Sequence, residues 1–183
     1  MNTRIRSLLS TIGMPVTAFH LPKINRIDTE NFTGVKQVVR KEFKKQGQTV
    51  DEGYLDDGVL ALKQYYLVAL LDPKNKHAVS DMIDPFWHAH ILHTDRYMAF
   101  CDEVFGHYLP HEPLDHDDRV AVEEAAELYR HTARVYGRLF SYASKQFYPR
   151  SVPEERLICL HNKVHTESIL QYALFEAVEG ATA

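Results

Sequence analysis

The chain has 183 residues, of which 45% are hydrophobic and 25% charged, and its formal net charge is -4 at pH 7. This composition excludes a disordered or fibrous chain, and the length predicts a single domain over residues 1–183. The net charge argues against a nucleic-acid partner. No apolar run is long enough to cross a membrane, and the two distant cysteines fit no disulfide framework. We therefore expect a cytoplasmic protein.

Helical periodicity dominates the chain and predicts an all-α fold, a compact bundle of about five main helices. The first helix carries apolar residues three and four apart over 32–43, with Asp28 or Thr29 as its N-cap and Gly47 as its stop. The second covers residues 54–71 and ends before a proline. Residues 1–27 have room for shorter helical pieces.

Three more helices are predicted downstream. The first of them begins at Asp84-Pro85, an aspartate cap followed by a proline at the first helical position. They cover residues 84–106, 115 or 117 to about 144, and 153 to about 178.

Three histidines lie within the segment FWHAHILH, residues 86–93. On a regular helix His88 and His90 point about 200° apart, so one helix cannot readily present both to the same ion. Asp84 and His88 are four residues apart and share a face, where Asp84 either caps the helix or supports the histidine. A second face carries His90, His93 and Tyr97.

Other histidines are spread along the chain. His111 lies in a proline-rich loop after the third helix, and His161 and His165 have the spacing at which one helix can hold a metal ion. We interpret His131 as the partner of Glu127 in a helix ion pair, and His77 as a loop or cap residue.

Several familiar sites are absent from the sequence. There is no HExxH motif, no repeated Glu-x-x-His pair, no phosphate-binding glycine loop and no GxSxG elbow. Abundant histidine with little cysteine favours a metal ion held by imidazole and carboxylate, with iron preferred and copper or zinc as alternatives.

The middle of the chain resembles the glycine-rich domain-containing protein-like family. The resemblance rests on the order Asp84, Trp87, His88, His90, Tyr97, Gly106 and His111. It implies that His88, His90 and His111 form one site with Asp84, and it implies no reaction. Plant members carry glycine-rich tails that this sequence lacks, so their suggested adhesion and RNA roles are not carried over.

A straight helix would place Gly106 about 30 Å from Asp84. The predicted site therefore requires a kinked helix, or it lies near the middle or C-terminal half of a straight one. There His90 or His93 reaches His111 more easily than His88 does. We predict metal ligation by Asp84, His88, His90, His111, His161 and His165.

The preferred hypothesis is a non-haem metal-dependent oxidoreductase that acts on a small molecule or peptide, with Tyr97 as a catalytic residue. A non-catalytic helical interaction module and a zinc-dependent hydrolase are the alternatives. The sequence does not specify the oligomeric state.

Overall fold

The computed structural model describes residue 16 and residues 18–142 and 144–161; for residues 159–161 it describes the backbone only. The helices are α1 (His20–Thr29), α2 (Thr33–Lys45), α3 (Glu52–Leu71), α4 (Asp84–Ile91), α5 (Thr94–Phe105) and α6 (Arg119–Leu139). The strands are β1 (His77–Ser80), β2 (Glu112–Pro113) and β3 (Leu157–His161), and a short 3-10 turn covers Glu154–Arg156. The described chain is therefore mostly helical, as predicted, and it also contains a small sheet that the all-α prediction did not include.

Helix α3 is the centre of the core. Asp51 caps it by accepting a hydrogen bond from the Tyr54 amide at 2.7 Å. Every residue from 64 to 71 is buried, as expected for a helix that is apolar on all sides. Helices α1, α2, α4 and α6 all pack against it.

The sheet is antiparallel with the strand order β1-β3-β2. In its register His77 pairs with His161, and Glu112 pairs with Leu160. Helix α6 packs against β1 and β3. A second apolar cluster joins this helix to the sheet region through Ala78, Leu114, Val122, Ala125, Tyr129 and Leu157. The sheet thereby brings α6 close to the residues that follow α3.

The helix predicted over residues 84–106 is two helices. The His93 amide bonds the His90 carbonyl at 3.1 Å, a bond that spans three residues instead of four, so α4 tightens and ends. Helix α5 starts at Thr94 and ends at Gly106, whose φ of 76° forms the left-handed cap that glycine favours. The break turns the chain back, and His111 thus reaches the start of α4.

The last predicted helix is also wrong where the structure describes it. Residues 154–156 form the 3-10 turn and residues 157–161 form β3, so the helical spacing of His161 and His165 does not apply. His165 and the rest of that predicted helix lie outside the described residues.

Two helix boundaries differ from the predictions. Asp28 and Thr29 belong to α1, and α2 begins at Thr33, whose amide bonds the Asn31 side chain at 3.0 Å. Helix α6 is capped by Asp118 and ends at Leu139, inside the predicted range. None of the described helices is long and apolar enough to span a bilayer.

Candidate functional site

Three side chains of metal-ligand type meet where α3 ends, β1 begins and α6 passes. Asp72 follows the last residue of α3, His77 opens β1, and His131 lies on α6. Each offers one ligand atom, and these atoms lie within 4.8 Å of one another. In the described part of the chain this is the one group of three or more histidine, cysteine or acidic residues with that geometry.

The Asp72 carboxylate is the centre of this group. Its Oδ2 lies 2.6 Å from Nε2 of His131 and 3.5 Å from Nε2 of His77. The two imidazole rings are stacked, with centroids 5.5 Å apart. The His77 side chain is fully buried, whereas 29% of the His131 side chain is exposed. The group is therefore closed on the His77 side and open to solvent beside His131.

The side chain of Thr132 holds the His77 ring in place. The Thr132 hydroxyl donates to the Leu128 carbonyl at 2.8 Å, the usual bond of a helical threonine to the preceding turn. Nδ1 of His77 lies 3.1 Å from the same hydroxyl oxygen, to which the Ala78 amide also donates at 3.3 Å. The other ring nitrogen, Nε2, lies 3.3 Å from the Asp72 carbonyl oxygen and 3.5 Å from the carboxylate.

This arrangement gathers possible metal ligands in a largely buried place. Burial lowers the pKa of His77 well below its usual value of 6.5, against the opposing effect of Asp72, so His77 is neutral at pH 7. A carboxylate only accepts hydrogen bonds, so Nε2 of His131 donates to Oδ2 of Asp72 at 2.6 Å. A metal ion that took the place of this proton would contact all three side chains, and two imidazoles with a carboxylate fit such an ion.

Sequence reasoning missed this group. The interpretation of His131 as the partner of Glu127 is wrong, because Glu127 pairs with Arg130 and His131 pairs with Asp72, 59 residues away. His77 was interpreted as a loop or cap residue and is a buried strand residue. The only local signal was the end of α3 at Asp72-Pro73, which predicts a turn but no ligand.

Part of the predicted site also comes together, at a different place. Nε2 of His111 lies 2.7 Å from Oδ1 of Asp84. The His111 ring lies 4.6 Å from the Trp87 ring and 5.8 Å from the His88 ring, centroid to centroid. Asp84, His88 and His111 are thus neighbours, but among the described residues they do not form a group with ligand atoms close enough to share an ion.

Tyr97 holds the loop that carries His111. Its hydroxyl accepts a hydrogen bond from Trp87 Nε1 at 2.9 Å and donates to the Leu109 carbonyl at 2.7 Å. Burial raises the pKa of Tyr97 well above its usual value of 10.0, so the phenol keeps its proton. These bonds give Tyr97 a positioning role, whereas the catalytic role stays a prediction.

We expect Tyr97→Phe to destabilise the protein by about 1 to 3 kcal/mol, because two buried hydrogen bonds lose their shared hydroxyl. Chemical denaturation monitored by fluorescence measures this loss. Tyr108→Phe is the matched control, since 49% of Tyr108 is exposed, and it should change stability by less than about 0.5 kcal/mol. Equal effects of the two substitutions would contradict the positioning role.

The individual surroundings of the other predicted ligands differ. His90 is 2% exposed, and its Nδ1 lies 2.8 Å from the Tyr66 hydroxyl. His88 is exposed, as expected from the divergence of the two residues on a helix. The backbone of His161 pairs with that of His77 in the sheet.

Comparison with known proteins identifies the family. A family model described as UCP032817-like matches residues 23–132, which is more than half of the chain and includes Asp72, His77, Asp84, His111 and His131. No curated protein matches the chain, and no solved structure matches it. The resemblance to the glycine-rich domain-containing protein-like family is therefore corrected: its motif lies inside the matched region of another family. The chain belongs to the UCP032817-like family.

Proposed function

We propose that this protein is a metalloprotein that binds one divalent transition-metal ion through Asp72, His77 and His131. The observation that carries the proposal is that Asp72, His77 and His131 each offer one ligand atom and that these atoms lie within 4.8 Å of one another. A cation would replace the proton that Nε2 of His131 shares with Asp72, and the neutral, buried imidazole of His77 would supply a further ligand.

Iron is the preferred metal. Two imidazoles and one carboxylate are the donor set of non-haem Fe(II) oxygenases, in which the remaining coordination positions are open. Three protein ligands leave such positions here, and the partly exposed His131 lies on the side that reaches solvent. When bound, iron would supply oxygen activation, so the proposed activity is oxidation of a small molecule or peptide.

The protein side chains have separate roles in this proposal. With Nε2 of His77 on the metal, Nδ1 would carry the proton and donate it to Thr132, which is the role of an outer hydrogen-bond partner in metal sites. Asp72 supplies the negative charge and contacts both histidines. Metal ligation by His161 stays a prediction. Its backbone pairs with that of His77 in the sheet.

A zinc-dependent hydrolase is the second candidate, because three protein ligands and an open side also suit zinc with a bound water. Copper also suits imidazole ligands. Metal identity and the dependence of turnover on oxygen separate these candidates.

The test is elemental analysis of protein purified without a polyhistidine tag after expression in medium that contains iron, zinc and copper. We expect about one equivalent of metal in the parent protein and its loss in Asp72→Asn and His131→Gln. Both substitutions keep the size of the side chain and remove a ligand.

Two control variants make this result specific. His116→Gln removes an exposed histidine, and His111→Gln removes the histidine bound to Asp84. Both should retain the metal. Absence of metal from the parent would favour the non-catalytic interaction module, and loss of metal in His111→Gln but not in His131→Gln would place the ion at the wrong site for this proposal.

A further inference from the structure

The metal centre leaves one chemically distinctive pair unused, Asp84 with His111. We propose that these residues form a separate acid–base site, in which Nδ1 of His111 takes a proton from a water molecule that attacks a small neutral acyl ester. His111 is the catalytic residue of this site, and Asp84 is its positioning residue.

The hydrogen bond between the two residues fixes which nitrogen of His111 is reactive. A carboxylate only accepts, so Nε2 of His111 carries a proton and donates it to Oδ1 of Asp84 at 2.7 Å. In the described part of the chain His111 makes no other hydrogen bond. Nδ1 therefore keeps its lone pair. An Nδ1 atom that was both buried and without a hydrogen bond would be an unsatisfied polar atom, and Nδ1 of His111 is not one. Nδ1 is therefore in contact with water, and 14% of the His111 side chain is exposed.

The imidazole is held rigidly. The buried Trp87 ring backs it at 4.6 Å, and the Tyr97 bond to the Leu109 carbonyl fixes the loop two residues before it. A fixed imidazole with an adjacent carboxylate is the arrangement that makes histidine an efficient general base, because the carboxylate stabilises the imidazolium that forms.

The neighbours favour an acyl ester over the other substrates that an imidazole base serves. Asp84 places a negative charge at the site, which repels a phosphate dianion and tolerates a neutral ester. The exposed His88 ring lies 5.8 Å from the His111 ring and is nearly perpendicular to it, at 77°. Its N–H can donate to the carbonyl oxygen as that oxygen becomes negative. A metal site fits these residues less well, because they do not bring three ligand atoms close enough to share an ion.

The reaction balances without any further reactant. The water oxygen forms a bond to the carbonyl carbon while its proton moves to Nδ1 of His111. The bond from the carbonyl carbon to the ester oxygen then breaks, and the leaving alcohol takes the proton back from His111. Ester and water give acid and alcohol, and the imidazole is regenerated.

The test measures release of 4-nitrophenolate from 4-nitrophenyl acetate by the full-length protein after treatment with EDTA. We expect a rate above that of free imidazole at equal concentration and a loss of about 100-fold in His111→Gln. His107→Gln removes another histidine of the same loop and should leave the rate unchanged. Asp84→Asn should lower kcat and leave KM nearly unchanged, since asparagine does not stabilise the imidazolium that forms during the reaction.

A second measurement keeps the test decisive if the His111 variant fails to fold. Nitrogen-15 NMR of the parent protein should show His111 protonated at Nε2 in its neutral form. The opposite tautomer, a parent rate no higher than that of imidazole, or an unchanged rate in folded His111→Gln would each overturn the proposal. Because EDTA removes metal from the assay, failure here is distinct from failure of the metal centre.

Discussion

Acidification from pH 6 to pH 4 is expected to cost the protein about 2 to 3 kcal/mol of stability through His90 alone. Burial lowers the pKa of His90 from 6.5 to about 3 in the folded state, assisted by the positive fields of His93, Arg96 and Arg26. Between the folded-state pKa and the unfolded-state pKa of 6.5, the unfolded chain therefore binds one more proton than the folded protein. Stability due to the neutral histidine is complete above about pH 6.5 and is lost as the pH falls toward 3, at up to about 1.4 kcal/mol per pH unit.

The matched variant for this prediction is His90→Asn. Its amide can replace Nδ1 as the partner of the Tyr66 hydroxyl, and it does not titrate in this range. Urea unfolding at pH 7, 6, 5 and 4 should show a shallower loss of stability in the variant than in the parent. Parallel curves would show that His90 is not buried as a neutral base, since the comparison of slopes removes any constant cost of the substitution.

Gly58→Val is expected to destabilise the protein by about 3 kcal/mol or more. A Cβ atom at Gly58 would lie 2.0 Å from Cζ of Phe86, and Phe86 is fully buried, so its ring has no free space to enter. Glycine at this position of α3 is thus required by the close approach of α4, which carries the histidine segment. Thermal or chemical unfolding measures the loss.

Gly53 is the control on the same helix. A Cβ atom there meets only the Asp51 side chain, at 3.4 Å, which the neighbour can accommodate. Gly53→Val should therefore change stability by less than about 1 kcal/mol. In addition, Phe86→Leu in the Gly58→Val background should recover part of the lost stability, since it removes the atoms that clash. No difference between the two glycine variants would show that α4 does not pack as described.

Local sequence patterns were sufficient where a helix depends on its own residues. The predicted second helix is confirmed as α3 because its long apolar run lies within one segment. The end of α5 at Gly106 is confirmed for the same reason. Helix α4 begins at Asp84 as predicted, but the predicted aspartate cap is wrong, because Ile83 is the N-cap residue and no side chain caps the helix. No proline or glycine marks the break at His93. The sequence indicated it only through the length of a straight helix, which would keep His111 far from Asp84.

Patterns failed where structure depends on distant partners. Residues 157–161, LICLH, form an apolar run that suits a helix or a strand. They form a strand because β1, some eighty residues earlier, pairs with them. The candidate metal centre is missed for the same reason, since Asp72 and His131 meet only after α6 packs beside β1. The bond between Asp84 and His111 was anticipated as a shared site, but its geometry depends on the break between α4 and α5.

The most direct test of the metal centre is a crystal structure of the metal-loaded protein with anomalous data collected at the absorption edge of the bound metal. We expect one anomalous peak about 2.0 to 2.2 Å from Nε2 of His77, Nε2 of His131 and a carboxylate oxygen of Asp72. An ion bound elsewhere, or no ion while Nε2 of His77 donates a proton to the Asp72 carbonyl, would contradict the account.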